Sequence, residues 1–485
     1  MVDASTDATE VDALVVDAPG VDAPGVDAPG VDAPGIDADR DAGPGSGLCW
    51  SAQGTPDYLP YPANRNGFSC SEVSPGIGYG KVWGGYGRWP GVSPEVIHVT
   101  NLNDSGAGSL RAALTASGCR VVVFDVSGEI RLSNQINVTD GCLTVNGHAA
   151  PGPVWVTVAA GGVANGVLSV RASDVILEGL AIAALPPVVC GNVRAINATP
   201  DADDLLFLNV ALMGGTDQNN SQGRADNWQY IDTLFANPQG VDTCGHPLNF
   251  LAEASDGHGL LLGMVFANSQ NRSPRALVEN MTWFNTYAYN VSRGRVADIA
   301  VDIGDTSSPN FMLNISDFWY ESGPDRDGSP AAIRLGGGGS EMGAGSEIFI
   351  DRIRVDTGFC ADAWDAECVS NQTTAEAMLR HDGTDNFPAG ARPTDTSGLS
   401  EDEHRALSFQ NNGPWPNRRT PSLQAVYDGI AAGTLSIEDA YTYAVEPSVS
   451  RAYDEGATPH ADSDGNGYPD LMDQFEMDRR ARYGN

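Results

Sequence analysis

Short apolar runs, each closed by a turn signal, recur along most of this chain and constrain its fold more than any other feature. They occupy residues 121–126, 136–138, 142–145, 155–159, 167–170, 175–182, 205–212, 230–235, 260–266, 276–289, 296–303, 311–319 and 348–355. Asp-Gly, Asn-Gly, Ser-Gly and Gly-Gly pairs separate many of them, so each run reads as a strand ended by a turn. No amphipathic helices alternate with these strands, which disfavours a doubly wound α/β sheet. Comparable positions such as Val121, Leu143 and Leu168 recur at intervals of roughly twenty residues. That period suits a parallel β-helix, in which each coil stacks on its neighbours and buries a continuous apolar interior. A β-sandwich or a propeller is the competing all-β architecture. Asn209, Asn280, Asn285 and Asn290 favour the coil, because asparagine tolerates left-handed corners and stacks as ladders.

The runs are preceded by a strand over residues 95–100, a turn over 101–109 and a short helix over 110–115, with Ser109 as its N-cap. Residues 1–46 have a different texture. Val-Asp-Ala-Pro-Gly occurs four times in tandem between Val16 and Gly35. Regular prolines, small side chains and like charges prevent a packed core and favour an extended, solvated tether. The expected organisation is a tether over 1–46, a β-helix domain over 47–420 and a C-terminal segment over 421–485. In that last segment, residues 422–431 and 437–445 carry helical spacing with acidic first turns. They are expected to pack on the outside of the β-helix and cover an edge that stacking leaves open.

With 63 acidic against 27 basic residues the formal net charge is −36, which argues against a nucleic-acid partner. An anionic partner then requires a locally basic site or a bridging divalent cation. Eight cysteines without closely spaced pairs point to disulfides in an oxidising compartment rather than to a thiolate metal site. Sequential pairing is expected: Cys49 with Cys70, Cys119 with Cys142, Cys190 with Cys244, and Cys360 with Cys368. No run of about 18 apolar residues is present, so no membrane span is expected. Met1 leads directly into an acidic tract, and the expectation is that a signal or lipoprotein leader is missing from this version of the chain.

Two stretches carry chemistry. Residues 462–473, DSDGNGYPDLMD, place Asp462, Asp464, Asn466, Asp470 and Asp473 at positions 1, 3, 5, 9 and 12 of a calcium loop. Gly467 allows the sharp turn at position 6 and Tyr468 offers its carbonyl at position 7. A structural calcium ion is expected there, with Asp473 standing where glutamate is usual. The other stretch, residues 256–290, sets Asp256, Gly257 and His258 before one strand and Arg272-Ser273-Pro274-Arg275 before the next. Pro274 fixes its own φ and biases Ser273 towards an extended conformation, so both arginines sit in a stiff turn.

Residues 95–114 (EVIHVTNLNDSGAGSLRAAL), 121–128 (VVVFDVSG) and 143–152 (LTVNGHAAPG) together resemble the N-terminal coils of bacterial pectate lyases of polysaccharide lyase family 1. The run 175–182, the Gly215-Thr216-Asp217 turn, residues 256–263 and residues 271–275 follow in that family's order. The resemblance implies a right-handed parallel β-helix of the pectin lyase-like kind and calcium-dependent β-elimination on polygalacturonate. Arg272-Ser273-Pro274 matches the family's Arg-x-Pro turn, which makes Arg272 the base that removes the C5 proton. Arg275 or His258 would bind the substrate carboxylate, and Asp217 would contribute to the catalytic calcium. Three positions depart from the pattern: Leu277 replaces a second arginine, Phe207-Leu208-Asn209 replaces Ile-Asp-His, and Gln218 replaces glutamate. Asp201, Asp203, Asp204 and Asp226 are the available substitutes for the thinned carboxylates. Trp228, Tyr230, Trp283 and Tyr287 are candidates to stack on sugars. The implied protein is exported, tethered to a surface and monomeric. Two further readings stay open: a β-helix that binds acidic polysaccharide without cleaving it, and a structural surface protein or adhesin.

Overall fold

The computed structural model describes residues 95–148, 150–159, 165–185, 190–225, 228–239, 247–291, 297–299, 311–325, 332–335, 347–356, 358–360, 368–371, 400, 405–406, 408–409, 412–414 and 419–437. Residues 1–46 and the loop 462–473 therefore lie outside the described part. The chain divides into Met1–Asp41 and Ala42–Asn485, and every described residue belongs to the second of these.

Its strands fall into three sheets in which each strand pairs with its counterpart one coil later. The first sheet begins Glu95–Val99, Arg120–Phe124, Leu143–Asn146, Val175–Glu178, Leu205–Leu208 and Trp228–Ile231. It then runs through Gly259–Leu262, Met281–Phe284, Leu313–Ser316 and Ile348–Asp351. The second begins Gly128–Leu132, Val154–Ala159, Ala181–Leu185, Ala211–Met213, Leu234–Ala236 and Val265–Ser269. The third begins Ile136–Val138, Leu168–Val170, Ile196–Ala198 and Gln218–Gln222. It continues into Leu248–Leu262, Arg275–Val291, Ala297–Ile299, Ile333–Leu335 and Val369–Asn371. All of these ladders are parallel. Among the described residues, only Glu347–Val355 with Gly358–Phe359 pairs antiparallel. Sandwiches and propellers are antiparallel, so the pairing decides for the parallel β-helix.

The corners explain why several apolar runs are longer than a strand. Residues 175–182, 205–212, 230–235 and 260–266 read as single strands, yet each is broken between the first and second sheets. The breaking residues are Gly179, Asn209, Asp232 and Gly263, with φ of 64°, 49°, 47° and 64°. Asn285, Asp317 and Arg352, also at positive φ, continue the column, because Phe284, Ser316 and Asp351 are in register one before them. A left-handed residue turns the chain without ending either strand, and only glycine, asparagine and aspartate adopt it at low cost. At Gly263 a Cβ would also lie 2.1 Å from Asp232 Oδ1, so a side chain there would have to push the Asp232 carboxylate aside. Arg352 is the exception, and it donates from Nε to Asp317 Oδ1 at 2.7 Å across the coil.

A second left-handed column comprises Gly214, Asn237, Asn268 and Asn290. Here an asparagine ladder forms that includes Asn290 but otherwise uses residues the sequence reading did not name: Asn268 Nδ2 donates to Asn237 Oδ1, and Asn290 Nδ2 to Asn268 Oδ1, both at 2.8 Å. Asn280 does not join a corner. It sits in a strand opposite His258 and Met312.

Inside the coil, aromatic rings stack from one turn to the next. Phe207 and Tyr230 lie 4.4 Å apart and Phe235 and Phe266 5.1 Å apart, each pair stacked with nearly parallel planes. Trp228, Tyr230 and Trp283 are buried in this interior, while Tyr287 is buried on the outer side of the coil against Phe409 and Arg405, so none of the four is an exposed sugar platform. The inward face of a strand takes every second residue, and Trp228, Tyr230 and Trp283 occupy that face, whereas Tyr287, in register with Val265 beside inward Phe266, points outward. Each ring withdrawn from water contributes on the order of 2–3 kcal/mol.

The helix Leu110–Leu114 lies at the N-terminal end, its Ser109 side chain accepting from Ala112 N. Buried Arg120 donates to the carbonyls of Ala113 and Leu114 behind it, and to those of Gly118, Asp140 and Gly141. At the other end of the sequence, Pro421–Ala431 forms a helix capped by Thr420, with no acidic residue in its first turn, unlike the expectation. Residues around it dock on the side of the coil rather than on an open end. Asn412 Nδ2 donates to Thr233 O and Gly263 O, while Asn268 and Asn290 donate to Ser436 O and Leu435 O. Thr233 O already accepts from Val265 N and the two asparagines already donate along their ladder, so the segment uses the spare lone pair and the spare N–H that these groups keep. The 437–445 helix, apart from Ile437, lies outside the described residues.

Cys119–Cys142 and Cys360–Cys368 form the disulfides expected. Cys190 is also disulfide-bonded, whereas Cys244, Cys49 and Cys70 lie outside the described residues. Among the described residues no helix is long and apolar enough to cross a membrane.

Candidate active site

The site is built where the third sheet enters two successive coils. After the strand Val265–Ser269 the chain turns through residues 270–274 and re-enters the sheet at Arg275. Arg272 takes φ 59° and the Ser273–Pro274 peptide is cis. A left-handed arginine costs on the order of 1–2 kcal/mol, so the surroundings must impose it. Gln270 N donates to Pro247 O at 3.0 Å, and Arg272 O accepts from Phe250 N at 2.9 Å.

Below the turn, a buried polar relay fixes Ser273. Its Oγ lies 2.9 Å from Ser269 Oγ and accepts from Asn249 Nδ2 at 3.0 Å. Asn249 Oδ1 in turn accepts from Asn219 Nδ2 at 2.9 Å, and Asn219 Oδ1 accepts from Gly215 N at 2.9 Å. Ser273, Asn249 and Asn219 are fully buried. The relay thus ties the Gly215-Thr216-Asp217 turn to the Arg272 turn across a coil.

On the outer side the same two turns meet through side chains. Arg272 Nη1 donates to Gln218 Oε1 at 2.8 Å, and Gln218 Nε2 donates to Asp217 Oδ2 at 2.8 Å. Arg194 Nη2 completes an ion pair with the same Asp217 Oδ2 at 2.7 Å. Arg194 Nη1 reaches Asn197 Oδ1 at 3.4 Å. The result is a line of two guanidinium groups bridged by one carboxylate and one amide. The line carries a net charge of +1 in a chain whose total is −36.

The structure brings Arg272 and Asp217 together through Gln218. Arg275 begins the next strand, half-buried, in register with Leu251 and Asp298. His258 is in register with Asn280, and its side chain lies outside the described part. Asp201, Asp203 and Asp204 do not join the site: Asp204, at φ 55°, and its neighbours form a corner between the third and first sheets. Asp226 lies outside the described residues, as do Asp462, Asp464, Asn466, Tyr468, Asp470 and Asp473.

A hard divalent cation takes six to eight oxygen ligands, several of them carboxylates. Asp217 does not fit that demand as it stands, because its Oδ2 already accepts from a guanidinium and an amide. Among the described residues no three His, Cys, Asp or Glu side chains converge on a metal-sized space.

Sequence reasoning missed Arg194, the bridging role of Gln218 and the Asn219–Asn249–Ser273 relay. A signal for Arg194 existed. Extending the pairing of Ile196 with Asn220 back by two residues sets Arg194 opposite Gln218, so strand register alone brings it to the site.

Comparison with curated proteins gives consistent relatives. A probable pectate lyase C of Aspergillus terreus is 31% identical over 258 residues, covering 53% of this chain and 57% of the relative. One from Aspergillus fumigatus is 31% identical over 235 residues, covering 48% and 51%. Both relatives carry the name probable pectate lyase C. The chain spans about half the length of those relatives, and no family model matches it. Among solved structures, the cedar pollen allergen jun a 1 aligns with a TM-score of 0.46 at 14% identity, over 70% of this chain and 92% of that one. A Bacillus pectate lyase in complex with trigalacturonate aligns with a TM-score of 0.39 at 11% identity, over 69% and 96%. The parallel strand pairing, rather than these alignments, carries the fold.

Proposed function

We propose that this chain cleaves a polymer of galacturonate by β-elimination. The observation that carries the reading is the Arg272 turn: an arginine held left-handed on the coil surface by a buried relay, beside a second guanidinium. In this reading neutral Arg272 takes the C5 proton of the uronate. The C5–H electron pair forms a double bond to C4 as the C4–O glycosidic bond breaks, and the departing oxygen takes up a proton from water. A free guanidinium has a pKa above about 12, so the neutral base is scarce. Positive charge near the substrate carboxylate stabilises the enolate-like charge that develops and draws the C5 proton off. Arg275 and His258 are proposed to orient the uronate.

Calcium, when bound beside a uronate, supplies such a charge in the lyases that the sequence resembles. Asp217 gives it no ready seat here, and no step is assigned to it. The loop 462–473 is proposed to bind calcium in a structural role, apart from the Arg272 turn. The disulfides fit an exported protein in an oxidising compartment, and residues 1–46 are proposed as its tether.

A binding protein without lyase activity is the second reading, favoured by the engagement of Asp217 with Arg194. One assay separates the two. Incubation with polygalacturonate is expected to raise the ultraviolet absorbance of an unsaturated uronate. Arg272→Lys is expected to abolish that rise while leaving the circular dichroism unchanged. Binding without product removes the lyase reading, and full activity in Arg272→Lys removes Arg272 from the role of base.

A further inference from the structure

We infer that Arg194 takes the place of a divalent cation, so that uronate binding at this site needs no added metal. The inference rests on the proposed lyase reading for its chemistry but not for its geometry. Asp217 is the carboxylate that a bridging cation would need, and Arg194 Nη2 sits on its Oδ2 at 2.7 Å. Both side chains are sheltered, at 13% and 14% exposure. A cation at Asp217 would have to displace the guanidinium and then stand beside it as a like charge. The two are alternatives for one position.

An anion meets the opposite situation. Arg194 is paired with a single carboxylate, and Gln218 carries the line on to the Arg272 guanidinium. The planar fork of arginine matches a carboxylate with two parallel hydrogen bonds, and it stays charged throughout the working pH range. A uronate carboxylate that reaches the line from solvent would find a net positive charge built into the protein. Gln218 contributes as well. Its amide bridges Asp217 to Arg272 without adding the negative charge that a glutamate would bring. The substitution that thins the cation ligands therefore also raises the net charge of the site.

The test uses the full chain carrying Asp464→Ala and Asp473→Ala, which silences the proposed loop at 462–473. Trigalacturonate binding is measured by titration calorimetry and product by absorbance, each in EDTA and in calcium. Binding and rate are expected to agree within about twofold between the two conditions. Arg194→Ala is expected to lose binding on the order of tenfold to a hundredfold in EDTA and to regain part of it in calcium, because Asp217 is then released. Arg194→Lys should keep an intermediate affinity in EDTA. Wild-type binding that collapses in EDTA and returns with calcium overturns the inference, as does an Arg194→Ala protein that binds like wild type in EDTA. Metal-independent binding that vanishes in Arg194→Ala, with no product under any condition, upholds Arg194 and overturns the lyase reading alone.

Discussion

Replacing Asn249 by alanine isolates the buried relay that holds the Arg272 turn. The substitution removes the donor to Ser273 Oγ at 3.0 Å and the acceptor of Asn219 Nδ2 at 2.9 Å. Both partners are buried, and a buried polar group left unpaired costs about 1–3 kcal/mol. The partners are not stripped bare, however. Ser273 keeps its contact with Ser269 Oγ, and Asn219 Nδ2 still donates to Ala236 O at 2.9 Å. The total should therefore lie near the lower end for two groups, about 2 kcal/mol. Urea unfolding monitored by circular dichroism measures it, with the exposed Asn137→Ala as a control expected within about 0.5 kcal/mol of wild type. The catalytic effect should exceed the stability effect. A shift of about 1 Å in a reacting group costs on the order of a hundredfold in rate, and Ser273 adjoins Arg272. An Asn249→Ala protein with the wild-type urea midpoint and wild-type rate refutes the view that the relay imposes the turn.

Two further expectations concern Asp104 and the loop 462–473. Burial alone would raise the Asp104 pKa, but hydrogen bonds from Ser133 and Arg111 outweigh it and hold the carboxyl below its ordinary value of 3.8. A depressed folded-state pKa contributes stability that is present above the unfolded value and lost as pH falls through the folded one. The difference in urea midpoint between wild type and Asp104→Asn should thus be constant at neutral pH and shrink below about pH 4. A difference that grows on acidification contradicts this. Calorimetric titration of the full chain with calcium should show one site that disappears in the Asp464→Ala, Asp473→Ala protein; unchanged uptake removes calcium from residues 462–473.

The architecture was legible in the sequence because a coil repeats its demands. Apolar runs, turn pairs and the asparagines at 209, 285 and 290 all recur where strands end, and each marks a place in the stack. The corners inside the runs were hidden. Asp232 and Gly263 interrupt apolar stretches by one residue, too little to break a periodicity. The four strand aromatics looked able to face a groove because sequence does not reveal which face of a strand points inward. At the site, Arg272 and Asp217 were legible from a local pattern, whereas Arg194 and Asn249 reach it only through register between coils. Asp201, Asp203 and Asp204 show the converse: composition offered carboxylates, and the fold uses them in a corner.

The mass of the new chain ends released from a galacturonate oligomer tests the role of Arg272 most directly. Elimination leaves a double bond and adds no water, whereas hydrolysis adds one water across the broken bond. The wild-type chain is expected to release a fragment lighter by one water than its hydrolytic counterpart, and Arg272→Lys is expected to release none. A saturated fragment, or an unsaturated one formed equally well by Arg272→Lys, contradicts the proposed elimination at Arg272.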